Sequence, residues 1–81
     1  MTKTTLDLVP KGGRAKITCV GTGKTSAHLT HRLLEMGFLE NSVVEVLHEA
    51  PFGGDPIAVR VRGSLIAIRK NEAKAVEVCL L

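Results

Sequence analysis

From Val43 to the C-terminal end, apolar residues recur at every second position in short runs, a spacing that selects strands over helices. Val44 and Val46 flank Glu45, and Ile57, Val59 and Val61 alternate with Ala58, Arg60 and Arg62. Ile66 and Ile68 flank Ala67, and Val76, Val78 and Leu80 alternate with Glu77 and Cys79. Turn formers separate the runs: Pro51-Phe-Gly-Gly-Asp-Pro56, then Gly63-Ser64, then a short helical turn over Asn71–Lys74. Nearer the N-terminus the same alternation appears over Arg14–Val20, with Ala15, Ile17 and Cys19 on one face and Lys16 and Thr18 on the other. Before it, Leu6–Gly13 reads as an extended arm and a turn, because Pro10 holds Val9 extended and Gly12-Gly13 permits a reversal.

One segment breaks the pattern. Leu29, Leu33 and Met36 fall on a single stripe at helical spacing, with His28, His31, Arg32 and Glu35 on the other side. Thr25 or Ser26 supplies an N-cap, and Gly37 stands where a left-handed C-terminal cap is needed. Closely spaced strands with one inserted amphipathic helix, and a helical turn before the last strand, predict a mainly-β fold: a small antiparallel β-barrel. Its expected core is Ile17, Leu29, Leu33, Val44, Val46, Ile57, Val59, Val61, Ile66, Ile68, Val76 and Val78. The chain has 81 residues, room for a single domain over residues 1–81. A domain of that size buries only about 60–65% of its unfolded surface, which excludes dinucleotide folds, TIM barrels and kinases.

Composition narrows the function. Phe38 and Phe52 are the only aromatic residues, which argues against a platform that stacks single-stranded bases. The net charge of +3 is mild, and Arg60, Arg62, Arg69 and Lys70 read first as charges that keep a sheet edge soluble. A nucleic-acid stripe is the lesser reading. No apolar run approaches the roughly 18–20 residues that span a bilayer, and the polar start Met1–Asp7 is unlike a secretory signal. Two distant cysteines fit a reducing, cytoplasmic setting. Cys19, on the face of Ile17, is expected to be an inert core thiol, and Cys79 to point outward.

Little else carries chemistry. His28, His31 and Glu35 occupy consecutive turns within roughly 60° of arc, donors suited to a divalent ion such as zinc or iron. The plainer reading is a solvated face, since ligands on successive turns of one straight helix rarely converge. His48 completes such a site only if the fold brings it across. Gly21-Thr-Gly-Lys-Thr25 imitates the end of a phosphate-binding loop, but Thr18 stands where the first glycine is required. No paired carboxylates or activated nucleophile appear, so the chain does not read as an enzyme.

Three stretches together resemble the ferrous-iron transport protein A (FeoA) family. They are Leu8-Val-Pro-Lys-Gly12 leading into Ala15-Lys-Ile17, Arg32-Leu-Leu-Glu-Met-Gly-Phe38, and Ala50-Pro-Phe-Gly-Gly-Asp-Pro-Ile57. Leu65-Ile-Ala-Ile-Arg69 and Val76-Glu-Val78 continue the match. Glu40-Asn41 replaces the Pro-Gly frequent in such proteins, and Asn is able to supply the left-handed geometry of the glycine. The resemblance implies an SH3-like barrel and a cytoplasmic accessory acting on the FeoB permease, whose cytoplasmic part binds GTP. The alternative it implies is a metal-responsive regulatory domain, like the C-terminal domains of iron- and manganese-dependent repressors. It transfers no catalytic or metal residues. No cofactor is expected to be required, and any divalent iron or zinc is expected to bind weakly. Leu34, Phe38, Leu39 and Phe52 are the expected docking anchors, near the helix and the Pro51–Pro56 loop. For Phe38 and Leu39 the competing expectation is that they plug one end of the barrel.

Overall fold

A computed structural model describes residues 2–21 and 25–81. The chain runs β1 (Lys3–Thr5), a 3-10 turn (Leu6–Leu8), β2 (Arg14–Val20), α1 (Ala27–Glu35) and β3 (Val43–Glu49). It continues through β4 (Ile57–Val61), β5 (Ser64–Ile68), α2 (Lys70–Ala73) and β6 (Val76–Leu80). All six strands join one antiparallel sheet in the order β1-β6-β2-β3-β4-β5. The fold is therefore mainly β with two helices, as the period-two runs require. β1 and β5 form the sheet edges and do not pair with each other among the described residues. The phosphate-loop look-alike depends on residues 22–24, which lie outside the described residues.

The core follows the alternation closely. Ten of the twelve expected residues are buried, while Leu29 and Ile66 pack half-buried against them. Leu6, Val9, Ala73 and Ala75 join the core from segments without strand or long-helix periodicity. Leu6 does so because the arm is more than a linker: β1 pairs with β6, and the 3-10 turn then folds Leu6 inward.

Two bulges decide which side chains stay inside. Between Ile17 and Cys19 the register against β6 shifts, so Ile17 faces Val78 while Cys19 faces Glu77. The extra residue, Thr18, donates its hydroxyl to the Glu77 carbonyl and carboxylate, each at 3.1 Å. A bulge inverts the alternation beyond it, so Cys19 is half-exposed and is not the core thiol that strict alternation predicts. In β3 the shift lies between Val46 and His48. It places His48 opposite Ala58 on the exposed face, where unbroken alternation after Val44 and Val46 would carry an imidazole into the core.

The helix is set by its ends. Ser26 is the N-cap, and its Oγ accepts the Leu29 N–H at 3.1 Å. At the other end Gly37 donates to the Leu34 carbonyl and Phe38 to the Leu33 carbonyl, each at 3.1 Å, with Gly37 at φ 102°. That pair of bonds is a Schellman motif, which brings the residue after the glycine beside the third residue from the helix end. Phe38 consequently packs with Leu33, and both are fully buried. The β4–β5 turn is Arg62-Gly63, one position earlier than expected, with Val61 paired to Ser64 and both turn residues at positive φ. This is the backbone of a two-residue hairpin turn that matches strand twist.

Candidate interaction surface

Four side chains were expected to anchor a partner, and the structure divides them. Phe38 is fully buried and is corrected to a core residue, because the Schellman turn drives it inward. Leu34 and Leu39 remain 42% and 37% exposed, and Val43 at the start of β3 is 40% exposed. These three lie on the helix end, the following loop and the strand it enters. Phe52 is fully exposed at the tip of the β3–β4 connection, at φ 60°.

The loop that carries Leu39 is held firmly. Ile17 of β2 donates its N–H to the Ser42 carbonyl at 2.9 Å and accepts from Asn41 N–H at 2.8 Å. Asn41 takes a left-handed geometry, φ 71°, that asparagine tolerates better than most side chains. Ser42 N–H closes the loop on the Leu39 carbonyl at 3.1 Å. A loop bonded to both the N–H and the carbonyl of one strand residue presents its apolar side chains with little ordering cost on binding.

Phe52 does not extend this patch. In the β3–β4 ladder Val44 faces Val61, while Glu49 faces Ile57 at the opposite end. Gly37 abuts Val61, and the Phe52 loop springs from Glu49. The length of β3 separates the two groups by about 20 Å at strand rise. Sequence proximity to turns suggested one surface; the ladder makes it two. Beside Phe52 an open cleft of about 380 Å³ is lined by His48, Pro51, Pro56, Ala58 and Ala67, among others.

The candidate ligands on α1 also divide. His31 Nε2 lies 2.8 Å from Glu35 Oε1, both exposed, as an i,i+4 pair on the helix surface. No group of three His, Cys, Asp or Glu side chains placed to share an ion occurs among the described residues. His48 lies on the β3–β4 face, so it does not complete a set with α1. Two donors do not make a resident metal site. Elsewhere Glu72 ties the helices together: its Oε1 accepts the Arg69 N–H at 3.1 Å and its Oε2 lies 3.2 Å from Arg32 Nη1. Asp55 accepts the Lys70 N–H at 3.0 Å, fastening the Pro51–Pro56 loop to the start of α2. No helix among the described residues is long and apolar enough to cross a membrane.

A family model described as the FeoA domain matches residues 4–79. The chain belongs to the FeoA family. FeoA from Stenotrophomonas maltophilia, solved with zinc, is 32% identical with a TM-score of 0.77, over 93% of this chain and 88% of that one. That protein is described as a procaryotic SH3 domain protein and suggested as a ferrous iron transport activating factor. A FeoA-like protein from Clostridium acetobutylicum is 29% identical with a TM-score of 0.87, over 100% of this chain and 91% of that one. A manganese-dependent transcriptional repressor shares the fold, with a TM-score of 0.82 at 18% identity, over 98% of this chain and 42% of that one. A search of curated proteins returns no match. FeoA membership ties the chain to ferrous iron transport, and its SH3-like fold is that of the FeoA structures it matches.

Proposed function

We propose that this FeoA-family chain, acting as one domain over residues 1–81, is a cytoplasmic interaction module. It docks on the cytoplasmic, GTP-binding part of a FeoB-type permease and adjusts ferrous-iron uptake without catalysing a reaction. The observation that carries this reading is the exposure of Leu34 near the end of α1, Leu39 in the next loop and Val43 at the start of β3, with that loop pinned to β2. Exposed aliphatic anchors on rigid backbone are what partner sites use, and a few of them dominate the binding energy. Phe52 offers a second, separate contact at the far end of β3. The SH3-like sheet belongs to this proposal as a barrel left open between its edge strands β1 and β5.

Leu34→Ala and Leu39→Ala are expected to weaken binding to the soluble part of the permease by about tenfold or more. Both should change stability by no more than about 1 kcal/mol, because the side chains are half-exposed. Calorimetric titration of each variant, paired with a urea melt, is the measurement. Normal binding by both variants would remove this patch as the docking site. Phe52→Ala in the same titration reports whether the distant loop takes part.

Divalent metal enters this reading only as transported ion or weak ligand. His31 and Glu35, with His28 one turn earlier, take iron or zinc weakly, and folding requires neither. Thermal melts with and without a chelator should therefore coincide. A chelator-induced fall of many degrees would reveal a structural site that these residues do not describe.

A further inference from the structure

The two edges of the sheet are built differently. β1 is three residues long, carries Lys3 and gives way at once to the 3-10 turn. That short, charged form is how edges are kept from pairing. β5 spans five residues, Ser64–Ile68, with no charge and no proline among them. Its ladder with β4 starts from a two-residue turn and runs from Val61↔Ser64 to Ile57↔Ile68. In such a hairpin Ser64, Ile66 and Ile68 turn their backbone groups toward β4. Leu65 and Ala67 turn theirs outward, where no described residue bonds them. Both residues are exposed, Leu65 by 70%. Two donors and two acceptors in line are a template for one more antiparallel strand.

Charge determines which strand fits. Arg62 stands at the turn before β5, and Arg69 and Lys70 follow it directly. Neither Arg62 nor Arg69 has an ion-pair partner among the described residues, whereas nearby Arg60 lies 3.7 Å from Glu45. A second copy paired about Ile66 would set the arginine before one strand against the basic pair after the other, a repulsive match. An acidic segment is complementary at both ends. Fixed anchoring of the β5–α2 junction by Asp55 and Glu72 keeps the edge in place to receive it.

We propose that β5 accepts an extended segment of a partner polypeptide, apolar at its centre and acidic at both ends, as an added antiparallel strand. The residues opposite Leu65 and Ala67 exchange backbone bonds with them. The residue between these turns inward onto half-buried Ile66, which calls for an apolar side chain. Flanking carboxylates meet Arg62 and Arg69. The edge uses none of Leu34, Leu39 and Val43, so its occupancy does not depend on the docking patch proposed above.

The experiment uses the full chain and a fluorescein-labelled peptide of three valines with two glutamates on each side. Anisotropy measures affinity, and NMR amide exchange locates the contact. Saturable binding is expected, with Leu65 and Ala67 amides becoming protected while Ile66 and Ile68 are protected throughout. Ala67→Pro removes an outward N–H without touching the β4 ladder, and should weaken binding by about tenfold or more. If that variant is unfolded, Arg62→Glu with Arg69→Glu is the deciding pair, expected to lose binding by a similar factor. A peptide with lysines replacing the glutamates should not bind. The proposal is overturned if the acidic peptide does not bind, if Leu65 and Ala67 stay unprotected at saturation, or if the lysine peptide binds equally. Concentration-dependent dimerisation that protects those amides without peptide would also overturn it, in favour of a second copy.

Discussion

Phe38→Ala is expected to lower stability by about 3–5 kcal/mol, the range for emptying a large buried aromatic site. A domain has only about 5–15 kcal/mol in total, so much of the fold's margin goes with one side chain. Phe52→Ala makes the same chemical change at a fully exposed ring and should move the denaturant midpoint hardly at all. The contrast comes from two loops that each place a glycine beside the phenylalanine. In one, the Schellman bonds at Gly37 and Phe38 turn the ring onto Leu33; in the other, the chain extends into solvent. Paired urea melts settle the matter, with the slope checked for two-state behaviour. A Phe38→Ala cost below about 1 kcal/mol would contradict the burial.

Gly21→Ala is the second large effect, expected at about 2–4 kcal/mol from two separate causes. Gly21 has φ +86°, a conformation that side chains rarely adopt, and its N–H donates to the Ala75 carbonyl at 2.8 Å. A Cβ there would lie 2.5 Å from Thr30 Oγ1 and 2.9 Å from Thr30 Cγ2, closer than atoms tolerate. Thr30 cannot swing aside freely, because its hydroxyl donates to the Ser26 carbonyl at 3.1 Å in the first turn of α1. Gly63→Ala is the matching control, with φ +82° and open space around the new methyl group. It should cost only about 1 kcal/mol. The difference between the two isolates the clash, and Thr30→Ala in the Gly21→Ala background should recover most of it. Equal costs for Gly21→Ala and Gly63→Ala would mean that α1 does not press on this point.

The proposed docking residues were partly legible. Leu34 lies off the stripe of Leu29, Leu33 and Met36, and a residue off the apolar stripe of an amphipathic helix stays exposed. Phe52 followed from its glycine-rich loop. Phe38 was open to both readings, yet a signal was present: an apolar residue directly after a C-terminal glycine is the one that a Schellman motif folds back. Val43 was missed because the first residue of a strand sits before the alternation has a clear phase. The histidine stripe on α1 was readable as a shared face, but a shared face does not bring three donors to one point. His31 instead pairs with Glu35.

By itself the sequence determined five of the six strands, both helices, the order of these elements and ten of the sixteen buried core residues. Those are local properties: a period of two or 3.6, a capping serine and a closing glycine act over a few residues. Tertiary structure alone decided the rest. The β1–β6 and β2–β6 pairings bring together segments from opposite ends of the chain. The bulges at Thr18 and beside Val46 then reverse the facing of Cys19 and His48. Strand order also made β5 an edge and sent Leu39 and Phe52 to opposite ends of one ladder. Register and neighbourhood depend on contacts between distant residues, and no local period encodes them.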